Sequence, residues 1–154
     1  AVGLEEILQE DYLKYRLRTV EYIGDKLLES GISIVRPTGG HALYIDAKAF
    51  YPQIPFSEFP GQALCCELYL KGGIRGCEIG TFMFGKKDES GKDIAASMEL
   101  VRLAFPRRVY TQAHFDYAAE VIVDCYRKRE IVKGLKISYE PEYLRHFTAN
   151  LERL

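Results

Sequence analysis

The chain has 154 residues, 47% of them hydrophobic, and 21 basic against 22 acidic side chains leave a formal charge of −1. That length suits one compact domain with an ordinary globular core. The balanced charge excludes a strong pull toward nucleic acid or an anionic membrane. No apolar run reaches the roughly 20 residues of a membrane span, and the N-terminus lacks the basic-then-apolar pattern of a signal peptide.

The first predicted element is a helix over residues 4–30. Leu13, Leu17, Val20, Ile23 and Leu27 recur at helical spacing, and Gly31 follows as a C-terminal cap. An apolar stripe already running at Leu4 suggests a chain cut from something larger. Residues 32–35 and 42–45 read as strands of an antiparallel hairpin around the turn at 36–40. Asp46 can cap the short turn after them. Residues 51–59, with Pro52 and Pro55, read as irregular. Pro60 suits a first helical position, and that helix runs to about residue 70, closed by Gly72 and Gly73. Residues 74–79 and 82–84 read as extended, and 86–97 as an exposed, mobile loop. A strand over 100–105 stops at Pro106. Thr111 can cap a helix to about residue 132, closed by Gly134. A last strand spans 136–139, and Pro141 opens a terminal helical turn or two. The expected architecture is an α+β two-layer sandwich, 1–154 as a single domain. Its sheet is largely antiparallel, with helices on one face.

Few residues carry chemistry by pattern alone. Cys65, Cys66, Cys77 and Cys125 match no zinc or redox spacing. They read as free thiols in a reducing compartment, which points to the cytoplasm. His41, His114 and His146 are scattered, so a metal site is not expected. There is no Walker-type phosphate loop and no nucleophile elbow. Arg102 stands out inside the apolar run 100–105. A buried guanidinium is costly unless it meets an anion, and its planar fork suits a carboxylate. The alternative is an arginine on the polar side of an alternating strand. By pattern alone His146 reads as a surface residue, Ile79 as core, and Arg107 and Arg108 as a small solvated basic pair.

A long ordered series of short stretches resembles the β-eliminating lyases, the family that includes tryptophanase and tyrosine phenol-lyase. The series runs Gly39-Gly40-His41-Ala42, Ile45-Asp46-Ala47, Phe59-Pro60-Gly61-Gln62-Ala63-Leu64, Gly73-Ile74-Arg75 and Glu78-Ile79-Gly80. It continues through Val101-Arg102-Leu103, Pro106-Arg107, Tyr110-Thr111-Gln112-Ala113-His114 and Gly134-Leu135-Lys136. It ends with Tyr139-Glu140-Pro141 and Leu144-Arg145-His146-Phe147-Thr148-Ala149. Each piece is weak, but their order holds along nearly the whole chain.

The resemblance implies the small domain of an aminotransferase-like (fold type I) pyridoxal-phosphate enzyme, at its C-terminal end. It implies that the large domain, which holds the cofactor and most potassium ligands, is absent, so that no residue of this chain binds the cofactor. It implies that Arg102 binds the substrate α-carboxylate. Tyrosine phenol-lyase has arginine at the position of Ile79 and phenylalanine at that of His146, so both residues side with the tryptophan-cleaving sister. The implied reaction is cleavage of L-tryptophan to indole, pyruvate and ammonia. His146 would take a catalytic part near the leaving indole, with Ile79 and Phe147 as apolar wall. A homotetramer is implied, and the chain alone is expected to be inactive. Ala104-Phe105, where both sisters usually show Thr-Ile, and Phe115, where methionine is usual, leave room for another β-substituted amino acid. The competing reading is a stand-alone module that binds an amino acid or a partner and catalyses nothing.

Overall fold

A computed structural model describes residues 2–106 and 108–154. The leading helical stretch is two helices, α1 (Val2–Glu6) and α2 (Glu10–Glu29), rather than one. Gln9 is extended between them, and nothing in the local sequence marks that break. Val20, Ile23 and Leu27 of α2 are fully buried, whereas Leu13 and Leu17 on the same stripe stay partly exposed. Gly24 faces the fold closely: a Cβ there would lie 3.0 Å from the Thr38 side chain.

The main sheet has three antiparallel strands in the order β1 (Ala42–Asp46), β5 (Leu100–Ala104), β2 (Cys77–Ile79). The expected strand over 32–35 shrinks to one bridge, Ile34 to Ile45, flanked by backbone bonds from Val35 and to Ser33. Leu43, Ile45, Val101 and Leu103 share the buried face of the sheet. They join one core with Val20, Ile23 and Leu27 of α2. Leu64 and Leu68 of α4 (Pro60–Gly72) and Ile122 of α6 (Gln112–Arg127) complete it. Helices therefore cover this face, and period-two alternation turns Tyr44, Arg102 and Cys77 to the other. The sheet is not single, however. Two further antiparallel pairs stand apart: β3 (Lys86–Lys87) with β4 (Asp93–Ile94), and β6 (Leu135–Tyr139) with β7 (Asn150–Arg153).

Local chemistry accounts for most of the elements. The Asp46 carboxylate accepts the Ala49 N–H at 3.0 Å and caps α3 (Ala47–Phe50), as its position suggested. α4 begins at Pro60 and ends at Gly72, with Gly73 in the left-handed conformation that glycine tolerates best. Gly72 is thus the last helical residue, not the cap. α6 stops at Arg127, short of the expected 132. There Arg129 donates to the Tyr126 carbonyl and lies over its ring, satisfying a helix-end acceptor. The Thr111 N–H donates to His114 Nδ1 at 3.2 Å, so His114 serves a helix N-terminus.

Three expectations are changed by contacts that the residue pattern does not show. Residues 82–84 are not extended: Thr81–Phe84 form a helical turn, α5, whose leading N–H groups are taken by the carboxylates of Glu78, just upstream, and of the more distant Glu99. The segment 86–97, expected as an exposed, mobile loop, is mostly exposed but carries the short β3–β4 hairpin, with its turn built on Asp88. The C-terminus is not only helical. After α7 (Arg145–Thr148) the chain returns as β7, and Arg153 pairs with the buried Glu67 of α4 at 2.5 Å.

Candidate substrate cleft

An open cleft of about 860 Å³ lies beside the β2 edge of the main sheet. Arg102 enters it from the centre of β5. Across the ladder its backbone is opposite Tyr44 on one side and Cys77 on the other. The Arg102 side chain is half-buried, and it has no hydrogen bond or ion pair with any described residue. A half-buried guanidinium whose donors take no partner among the described residues can bind an anion, and its planar fork matches a carboxylate.

His146 and Phe147 line the same cleft from α7, the far end of the chain. Their rings sit 4.2 Å apart, tilted by 43°. His146 is half-buried, and Phe147 is 74% exposed. Tyr69, Leu70, Phe82, Met83 and Leu151 add further apolar wall. The cleft thus combines three arginines (Arg75, Arg102 and Arg153, the last paired with Glu67), one imidazole and a wide apolar surface. Ile79 does not line this cleft. It lies two residues beyond Cys77, opposite Leu100, on the same sheet face as Arg102.

Pattern reading missed three features. Cys65, Cys66 and Cys77 all line the cleft as free thiols. Burial pushes the Cys65 thiol far up, and raises Cys66 in the same direction. Glu78 and Glu99 form a buried acidic pair at the base of α5. Glu78 accepts the Phe82 and Met83 N–H groups at 3.2 and 2.9 Å; Glu99 accepts the Thr81 N–H at 3.0 Å and also its hydroxyl. Burial, and then the charge of Glu99, hold the Glu78 carboxyl up to about 7; burial raises Glu99 as well. A Cβ on Gly80 would run into both carboxylates, so only glycine fits between them. Finally, Arg145 opens α7 and tucks most of its side chain against α5. No local motif announces these residues, because strands and turns far apart in sequence bring them together.

Among the described residues no group of three or more His, Cys, Asp or Glu could hold a metal ion. No helix among them is long and apolar enough to cross a membrane. Arg107 of the expected basic pair lies outside the described residues, and Arg108 pairs with Glu6.

The described residues thus form an antiparallel α+β unit with Arg102 unpaired in an open cleft. The family model described as beta-eliminating lyase matches residues 6–121, and the chain belongs to that family. It is 56% identical to a tryptophanase of Hyphomonas neptunium over 154 residues, all of this chain and 34% of that protein. It is 52% identical to a tyrosine phenol-lyase of Nostoc punctiforme over 152 residues, 99% of this chain and 32% of that protein. A tryptophanase of Rhodobacter capsulatus is 49% identical over 154 residues, again all of this chain and 34% of that protein. The chain therefore spans about a third of the length of the curated relatives it matches.

Proposed function

We propose that this chain is the C-terminal, small-domain part of a pyridoxal-phosphate-dependent lyase that cleaves L-tryptophan to indole, pyruvate and ammonia. The observation that carries the reading is the unpaired Arg102 guanidinium in the cleft that His146 and Phe147 also line. Its fork would take the α-carboxylate through two parallel N–H···O bonds and fix the Cα–H bond for cleavage. The apolar wall, Phe147 included, suits an indole, and a neutral His146 nitrogen can accept the indole N–H hydrogen bond. Ile79 adds an apolar side chain, and no second charge, to the sheet face that Arg102 occupies. No lysine lines the cleft, so its residues do not fit the imine-forming role pyridoxal phosphate needs. The cofactor, and the potassium ion of the complete enzyme, are assigned to the part of the protein outside this chain. An aminotransferase-like fold type I architecture, a homotetramer and a cytoplasmic setting belong to the same proposal.

Exposed apolar side chains along α1 and the start of α2 support a missing partner domain: Val2, Leu4, Leu8, Leu13 and Leu17. On this reading the isolated chain is inactive. The tyrosine phenol-lyase relatives keep L-tyrosine as the second reading. The test is product analysis of the full-length enzyme carrying this chain. Indole and pyruvate from L-tryptophan support the proposal; phenol from L-tyrosine, with no indole, overturns it.

A further inference from the structure

Arg145 is the most heavily engaged side chain near the cleft, and the residues at its C-terminal side are His146 and Phe147. Its side chain is only 10% exposed. Nε donates to the Phe82 carbonyl at 2.8 Å and Nη2 to the Thr81 carbonyl at 2.6 Å. Nη1 meets Asp93 at 2.8 Å and Glu140 at 3.0 Å. One guanidinium therefore ties α7 to α5, to β4 and to the segment after β6. A planar fork can do this and a lysine cannot, because these acceptors lie in several directions. The backbone just before it is strained: Leu144 is left-handed at φ 52°, a conformation disfavoured for a residue with a Cβ. α7 is four residues long and contributes no buried side chain, so packing alone does not hold it.

The turn that Arg145 grips by its carbonyls is gripped by its N–H groups from the other side. Those donors go to Glu78, which precedes Ile79 in β2, and to Glu99, which immediately precedes β5. A continuous chain of contacts therefore runs from the strand bearing Arg102, through the acidic pair and α5, to the residues beside the cleft's aromatic wall. We propose that Arg145 is a positioning residue: it sets His146 and Phe147 at a fixed distance from Arg102, so that one amino acid meets both ends of the site at once. This rests on the lyase reading above, since positioning matters only if both ends contact one substrate.

The test uses the full-length enzyme with Arg145→Lys and Arg145→Met. A substrate with a large aromatic leaving group needs the His146 wall, whereas a β-substituted alanine with a small leaving group needs only Arg102. With Arg145→Lys, kcat for L-tryptophan should fall on the order of 10²-fold, while kcat for the small-leaving-group substrate stays within about threefold. Hydrogen exchange at the Phe147, Ala149 and Gly85 amides should speed by about tenfold, with α2 and α6 unchanged. Arg145→Met should give the larger change in both readouts. Equal losses for both substrates, or unchanged exchange at those amides, overturn the proposal. If the wild-type enzyme ignores L-tryptophan, the functional reading fails instead, and the exchange measurement still decides whether Arg145 clamps α7.

Discussion

Arg102 and Cys77 stand in register on adjacent strands, on the face of the sheet opposite the helix-covered core. This places an unpaired cation and a free thiol side by side in the cleft. Removing the cation should damage binding and spare the fold. Arg102→Met should lower kcat/KM of the full-length enzyme on the order of 10²-fold, about 3 kcal/mol, because a charge-assisted pair to the carboxylate is lost. Urea unfolding should change by no more than about 0.5 kcal/mol, since no internal bond of Arg102 is broken.

The thiols report on the same site. Cys66 and Cys77 are half-buried in the cleft wall and Cys65 and Cys125 are buried; desolvation raises the Cys65, Cys66 and Cys125 thiols, so their ranking rests on access. Iodoacetamide should modify Cys77 and Cys66 about tenfold faster than Cys65 and Cys125, as read by peptide mass mapping. An amino acid bound at Arg102 should slow labelling of Cys77 most. Uniform labelling of all four thiols would mean that the cleft is not formed as described.

The acidic pair predicts a pH slope in stability. The Glu78 carboxyl sits at about 7 in the fold, above the roughly 4.3 of an unperturbed glutamate. The folded state thus holds its proton more tightly than the unfolded state. That stabilisation is complete below about pH 4 and is lost as pH rises through 7, by up to about 1.4 kcal/mol per pH unit. Glu99 shifts in the same direction. Glu78→Gln should flatten the stability curve between pH 5 and 7.5 and leave the variant ahead of wild type at pH 8. Chemical denaturation across that range checks it; an undiminished slope in the variant removes Glu78 as its cause.

Substrate choice should follow two residues held by different elements. Ile79 lies on β2, on the face Arg102 shares, and His146 lies on α7 in the cleft. The double change Ile79→Arg with His146→Phe should move the ratio of kcat/KM values toward L-tyrosine by at least about tenfold, chiefly by weakening the apolar fit to indole. Competition assays with both amino acids measure the ratio. An unchanged ratio would mean that other residues set specificity.

Much of the fold was legible because its signals are local. The stripe Val20, Ile23 and Leu27 marked α2, Pro60 marked the start of α4, and Asp46 and Thr111 marked helix caps. The run around Arg102 showed both the central strand and the anomalous cation. Most of what escaped depends on partners distant in sequence. Thr81–Phe84 turns helical because Glu78, just upstream, and Glu99, far along the chain, accept its N–H groups. β7 forms because β6 offers it an edge and Glu67 needs a cation, which Arg153 supplies. Arg145 looks like any tail arginine until four acceptors converge on it.

The most direct test of the central claim, that this chain carries substrate contacts and not the cofactor, is borohydride trapping. The purified chain is incubated with pyridoxal phosphate, reduced, and mapped by mass spectrometry. Weak, scattered labelling among its ten lysines is the expected result. Stoichiometric labelling of a single lysine, with a visible imine band before reduction, would contradict it, because this domain would then hold the cofactor alone.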